Sequence, residues 1–162
     1  MEQSLLQICH IETPLGHAKI SGNENGIVSV SIIDSQEALS ESIPEALLNC
    51  VIQLKEYFNN TRKKFDLKLH PEGTTFQKKV WKQLETIPFG KSISYLELSK
   101  QLGDVKAIRA AASANGKNPL WIIVPCHRVI ASNGSLTGYS GGLYRKQWLL
   151  NHESEYKQQS LF

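Results

Sequence analysis

The sequence predicts an α+β protein in two parts, a small N-terminal α/β unit followed by a mainly helical unit that contains a helix-turn-helix. Three observations predict it. The first third alternates short β-prone apolar runs with Gly- and Asn-bearing turns. The second half places apolar residues at helical spacing, in runs opened by Thr or Ser and closed by Gly or Pro. A chain of 162 residues with 41% apolar content has the length for one ordinary domain or two small ones, and enough apolar side chains for a core.

Ile8 to Glu12 reads as a strand, followed by the turn Thr13-Pro14-Leu15-Gly16, a second run from His17 to Ser21, the turn Gly22 to Gly26, and a third run from Ile27 to Ile33. Asp34 to Pro44 is polar and reads as a loop. Pro44 to Asn60 reads as a helix because Leu47, Val51, Leu54 and Phe58 fall on one face. Phe65 to Leu69 alternates apolar and polar residues and reads as a further strand, and the unit ends near Gly73, giving domains 1–73 and 74–162.

Thr74 answered by Gln77 is a capping-box pattern, and Phe76, Val80, Leu84 and Ile87 then share a stripe until Pro88 and Gly90 stop the helix. Ser94 answered by Glu97 repeats the pattern, and this helix ends at Gly103. Asp104 can cap a third helix that runs to about Asn115 and is closed by Gly116. Its Ala/Ser-rich stretch fits either tight packing on a neighbouring helix or close approach to something narrow. Leu120 to Val124 reads as a short buried strand.

Charge is unevenly spread. From Lys78 to Lys146 there are eleven Lys/Arg against three Asp/Glu, while the rest of the chain holds seven against twelve. A basic segment on a near-neutral chain is the footprint of a nucleic-acid partner, although a solvated basic face would look the same. The three cysteines, Cys9, Cys50 and Cys126, are odd in number and widely spaced, which argues against a disulfide framework or a cysteine zinc cluster and for a reducing, cytoplasmic setting. No apolar run in the N-terminal region is long enough for a signal peptide or membrane span.

Pro125-Cys126-His127-Arg128-Val129 follows the apolar run, and a cysteine beside a histidine is a candidate nucleophile with its base. On the dipeptide alone, a small buried hydrophobic cysteine is the commoner outcome. The surroundings add more. This motif, with Pro88-Phe89-Gly90, Ile93-Ser94-Tyr95, Arg109-Ala110, Ala114-Asn115-Gly116, Asn118-Pro119, Gly138 to Gly142, Trp148-Leu149-Leu150 and Glu153, resembles the O6-alkylguanine-DNA alkyltransferases, the methylated-DNA–protein-cysteine methyltransferase family. The resemblance runs from about Phe76 to Glu153 and is weaker before that, where Thr13-Pro14-Leu15-Gly16 and the following hairpin fit the family's ribonuclease-H-like N-terminal domain.

The resemblance implies DNA repair by single-use transfer of the alkyl group of O6-alkylguanine, and to a lesser degree of O4-methylthymine, onto Cys126. His127 would act as base through a bridging water, Glu153 would orient it, Tyr95 would donate to the departing guanine, and Asn118 would brace the turn. Ser140, Tyr139 and the carbonyls of Cys126 and Val129 would hold the base. Arg109 would fill the gap left by an extruded nucleotide, with Ala110, Ser113 and Ser94 lying against DNA. It implies double-stranded DNA bearing alkylated guanine as partner, no cofactor, no obligate protein partner and, given the lack of cysteine and histidine ligand spacing near Cys9 and Cys50, no zinc. Two other functions fit parts of the pattern. One is a non-catalytic module that recognises alkylated bases and recruits other repair factors, which Cys126 speaks against. The other is a cysteine hydrolase, which would leave the basic helix-turn-helix without a purpose.

Overall fold

The computed structural model describes residues 5–34, 37–136, 139 and 141–154. The protein is α+β, and its chain groups into two compact units. The first runs through Glu72 and takes in Pro119–Trp121, and the second comprises Gly73–Asn118 and the chain from Ile122 onward.

In the first unit three antiparallel strands, β1 (Gln7–Thr13), β2 (Gly16–Asn23) and β3 (Gly26–Ile33), form a meander in the order β1-β2-β3. The register aligns Cys9 with Ile20 and Ile20 with Val30, so these three buried side chains form one row across the sheet. The period of two along each strand puts Ile11 and Ala18 on the same buried face. Helix α1 (Glu45–Phe58) packs on the sheet and buries Leu47, Cys50, Val51, Leu54 and Tyr57. The tight β1–β2 turn is tied by Thr13, whose hydroxyl donates to the Gly16 carbonyl at 2.7 Å and accepts from the Leu15 N–H at 3.1 Å.

Two expected strands of this region are not strands. Phe65 to Leu69 contributes one parallel bridge, Leu69 with Ile27, because the Ile27 N–H and C=O take only the Lys68 carbonyl and the His70 N–H. Gly26 makes this approach possible: a Cβ there would stand 2.8 Å from the Lys68 oxygen, and its φ is +135°. Leu120 to Val124 is buried as expected, yet it touches β3 only through Leu120 beside Val30, with Trp121 donating to the Val30 carbonyl at 2.9 Å. The chain then turns away at Ile122, whose φ of 70° no strand allows and few β-branched residues adopt.

The second unit begins with α2 (Thr75–Leu84), opened by a full capping box between Thr74 and Gln77. Thr74→Ala removes one arm of that box and should cost about 1 kcal/mol, or about 2–4 °C in Tm for a chain of this size, read by thermal melting. Strand β4 (Ile93–Ser94) leads directly into α3 (Tyr95–Gln101), where the Ser94 hydroxyl accepts from the Glu97 N–H at 3.0 Å. Gly103, at φ +90°, ends the helix. Asp104 then caps a 3-10 turn over Val105–Ala107, which feeds α4 (Ile108–Gly116). The third helix of the sequence reading is therefore a 3-10 turn followed by a shorter α-helix. Ala111 and Ala114 are buried, and Trp81 of α2 donates its indole N–H to the Ala114 carbonyl at 2.8 Å. Part of the small-residue stretch thus serves close helix packing, while Arg109, Ala110 and Ser113 form an exposed face.

A second 3-10 turn, Cys126–Arg128, precedes β5 (Val129–Ile130), which pairs in parallel with β4. Helix α5 (Leu143–Glu153) completes the unit. The β4–β5 pairing aligns Ile93 with Val129, which brings the start of α3 alongside the strand that leaves Cys126.

Candidate active site

Cys126 opens the 3-10 turn and is 6% exposed. The turn is built by short local bonds: the Cys126 N–H donates to Val124 at 2.8 Å, and the Arg128 N–H to Pro125 at 3.0 Å. Asn118 braces it by donating its side-chain amide to the Val124 carbonyl at 2.7 Å. Burial raises the Cys126 thiol above its ordinary pKa, while a hydrogen bond from the Asn118 side chain and the charge of Lys146 pull the other way. The resting group is therefore a protonated thiol in need of a base.

A titratable ring is next in the chain. His127 is fully buried, and its Nε2 lies 2.7 Å from Glu153 Oε2. Burial lowers the imidazole below its usual range, only partly opposed by the Glu153 hydrogen bond and charge, so the ring is neutral near pH 7. An ionised carboxylate only accepts, so the neutral ring must carry its proton on Nε2 and hold its lone pair on Nδ1. Nδ1 is buried with no hydrogen-bond partner among the described residues. The arrangement leaves one ring nitrogen tied to a carboxylate and the other ready to take a proton.

Glu153 is held from two sides. Arg128 reaches it with Nε to Oε1 at 2.8 Å and Nη2 to Oε2 at 3.0 Å, a bidentate fork, and its Nη1 donates to the Ile87 carbonyl at 2.6 Å. Burial alone would raise the Glu153 carboxyl, but His127 and Arg128 together hold it well below the usual carboxylate range. The Pro88-Phe89-Gly90 turn closes over this cluster. The Phe89 ring centroid lies 5.9 Å from the Arg128 guanidinium, and a Cβ on Gly90 would stand 3.0 Å from the Glu153 carbonyl oxygen. Arg128 thus makes an internal salt bridge.

Tyr95 is half-buried at the first residue of α3, and Tyr139 is 9% exposed. Lys146 Nζ lies 5.9 Å from the Tyr95 ring centroid and 6.0 Å from that of Tyr139. Val129 is buried at the start of β5. The Cys126 carbonyl accepts from the Val129 N–H and from Asn115 Nδ2 at 3.4 Å, so a base amine would have to compete with Asn115 for one of its lone pairs. Ser94 has its hydroxyl engaged as the cap of α3. Ser140 lies outside the described residues.

The structure thus brings Cys126, His127, Glu153 and Asn118 into one cluster through bonded contacts and places Arg109, Ala110 and Ser113 on the outer face of α4. Sequence reasoning missed Lys146 and Asn115. The available signal for Lys146 was its spacing: seven residues before Glu153 in one helix puts both on the same face. Among the described residues no group of three or more His, Cys, Asp or Glu is placed to hold a metal ion, and no helix is long and apolar enough to cross a membrane.

Comparison with known proteins bears on both units. Residues 9–71 match the ribonuclease-like domain of 6-O-methylguanine DNA methyltransferase, and residues 75–155 match the DNA binding domain of the same family. A methylated-DNA–protein-cysteine methyltransferase of Methanosarcina acetivorans is 42% identical over 149 residues, 88% of this chain and 94% of that protein. One of Mycolicibacterium paratuberculosis is 40% identical over 156 residues, covering 93% and 94% of the two chains. The crystal structure of Mycobacterium tuberculosis O6-methylguanine methyltransferase is similar with a TM-score of 0.82 at 39% identity, over 92% of this chain and 93% of that one. The Mycobacterium tuberculosis OGT structure in complex with DNA matches with a TM-score of 0.81 at 42% identity, over 89% and 90%. The chain belongs to the methylated-DNA–protein-cysteine methyltransferase family.

Proposed function

We propose that this protein repairs DNA by moving the alkyl group of O6-alkylguanine, and to a lesser degree of O4-methylthymine, onto Cys126 in a single irreversible turnover. The observation that carries the proposal is the buried Cys126-His127-Glu153-Arg128 cluster, in which the histidine faces a carboxylate with one nitrogen and has the other unengaged. His127 Nδ1 accepts the thiol proton through a water, and Glu153 stabilises the imidazolium that forms. The thiolate sulfur attacks the alkyl carbon, the carbon–O6 bond breaks, and Tyr95 donates to the guanine as it departs. The thioether on Cys126 has no leaving group to restore the thiol, so each molecule acts once and no cofactor is consumed. Tyr139, Ser140 and the Val129 carbonyl are read as the walls and acceptors of the base pocket.

Alkylated guanine within a duplex must be extruded to reach a buried thiol, at a cost of a few kcal/mol. Arg109 on the exposed face of α4 is read as the side chain that fills the vacated stack, with Ala110 and Ser113 letting the helix approach the groove. Residues 74–162 are read as the DNA-binding and catalytic domain and residues 1–73 as the ribonuclease-H-like domain. Three cysteines, all free and buried, suit the reducing cytoplasm. Arg109→Ala should lower affinity for a lesion-bearing duplex more than for a plain one, by about 1–2 kcal/mol if the wedge offsets part of the extrusion cost. Equal losses on both duplexes, measured by fluorescence anisotropy at one salt concentration, would remove Arg109 from that role.

Titrating a duplex that carries one O6-methylguanine with the protein tests the proposal. Lesion loss should rise linearly with protein and stop at one lesion per molecule. Continued turnover at substoichiometric protein would point to a hydrolase, and tight binding without lesion loss to a recognition module.

A further inference from the structure

The loop that enters α5 is held by a side chain of that helix. Arg145, the third residue of α5, is 9% exposed, and its Nη1 donates to the Gly141 carbonyl at 3.0 Å. The Gly142 N–H donates to the Tyr139 carbonyl at 3.0 Å. The Gly142 carbonyl in turn accepts from the N–H groups of Arg145 and Lys146, each at 3.2 Å. Tyr139 is thereby tied to the first turn of α5 twice, through the backbone at Gly142 and through the Arg145 side chain at Gly141.

The place of this guanidinium sets it apart from a solvated surface charge. A cation in the first turn of a helix opposes the helix dipole, and the first turn of α5 holds no acidic side chain. A guanidinium largely withdrawn from water needs charge-assisted bonds to offset its burial, and the Gly141 carbonyl supplies one. The guanidinium also lies over the Tyr144 ring, 4.9 Å from its centroid, which fixes its plane. Packing points the same way. A Cβ on Gly141 would stand 2.9 Å from Tyr139 Cε2 and 3.7 Å from Arg145 Cδ. The bare Gly141 backbone thus packs against the Tyr139 ring where no methyl would fit, with the arginine stem beside it. A shift of the Gly141 carbonyl would move the support of that ring.

We infer that Arg145 is a positioning residue for the substrate base. By holding the Gly141 carbonyl it fixes the loop that presents Tyr139, and so sets how firmly an extruded base is seated. The inference rests on the alkyl-transfer reading above, in which Tyr139 is a wall of the base pocket. The His127–Glu153 bond and the Asn118 brace at Cys126 are made by other residues. Arg145 therefore governs the seating of the base and not the rate at which a seated base reacts.

Single-turnover transfer separates these two effects, with protein in excess over a duplex that carries one O6-methylguanine. In Arg145→Met the protein concentration giving half the maximal rate should rise about tenfold, the loss of one charge-assisted bond. The maximal rate should stay within about twofold, and so should affinity for a plain duplex. An unmoved half-saturating concentration overturns the inference. A comparable fall in the maximal rate, or an equal loss of affinity for the plain duplex, assigns Arg145 to the fold at large and also overturns it. If Arg145→Met does not fold, nuclear magnetic resonance of the Arg145 Nη groups in Cys126→Ser decides. Those signals should move on adding the lesion-bearing duplex and stay in place with a plain one, because only an extruded base enters the pocket. The same response to both duplexes overturns the inference. Absence of methyl uptake by the unsubstituted protein overturns the transfer reading and the inference with it. Normal uptake by that protein, with the same half-saturation in Arg145→Met, overturns the Arg145 inference alone.

Discussion

Cys126→Ser should abolish alkyl transfer while leaving DNA binding within about twofold of the original, a change of less than about 0.5 kcal/mol. Serine keeps the size of the side chain, and the bonds that shape the turn come from the backbone and Asn118. The exposed face of α4 is untouched. A hydroxyl is a far weaker acid than a thiol, and His127, already lowered by burial, is too weak a base to ionise it. Single-turnover transfer from an O6-methylguanine duplex and gel-shift binding of the same duplex separate the two effects. Transfer surviving in the serine protein would mean that another residue accepts the alkyl group.

Glu153→Ala should be the most damaging substitution outside the nucleophile. It leaves the Arg128 guanidinium buried without its counter-charge, a loss of about 3–5 kcal/mol. Transfer at neutral pH should also fall by about a hundredfold or more, since His127 loses the partner that fixes its tautomer and stabilises its protonated form. Pairing the change with Arg128→Met should recover part of the stability but not the rate, because removing both charges is far cheaper than orphaning one. A double variant no more stable than the single one would contradict the clamp.

The same cluster sets the acid limit of the fold. His127 and Glu153 both bind protons less readily when folded than when unfolded. The unfolded chain therefore takes up more protons on acidification, and stability falls with pH. The His127 contribution is complete above the usual imidazole value of about 6.5 and is lost as pH falls through its lowered folded value. The Glu153 contribution is lost below the usual carboxylate value of about 4.3. Melting temperature should decline from near neutrality downward, and Glu153→Ala should flatten the lower part of that decline.

Much of this was legible in the residues. Helix boundaries followed from local chemistry: Thr74 with Gln77, and Ser94 before Tyr95, satisfy backbone donors that any helix start exposes. The meander followed from alternation and from Gly/Asn turns. The two expected strands that do not form share a physical reason. Phe65 to Leu69 and Leu120 to Val124 have strand-like patterns, but pairing is a property of the neighbour, and each finds only one residue of β3 to bridge. Ile122 at φ 70° could not be foreseen, because β-branched residues normally avoid that conformation.

Within the site, Cys126, His127 and Glu153 were named from the family motif, and their bonding is now explicit. The spacing of 26 residues between His127 and Glu153 carries no local signal for their contact; the turn, the β4–β5 pairing and α5 are needed to bring them together. Lys146 escaped notice because lysine is almost never fully buried, and a basic residue in a basic segment reads as a solvent-facing one. Asn115 was visible only as part of Ala114-Asn115-Gly116, and its bond to the Cys126 carbonyl depends on how α4 packs.

Intact-mass spectrometry after incubation with a duplex holding a single O6-methylguanine, followed by peptide mapping, addresses the central claim most directly. The account predicts a gain of one methylene unit per molecule, confined to the Cys126 peptide and saturating at one. Folded, DNA-binding protein that gains no mass, or gains it on Cys9 or Cys50, would contradict it.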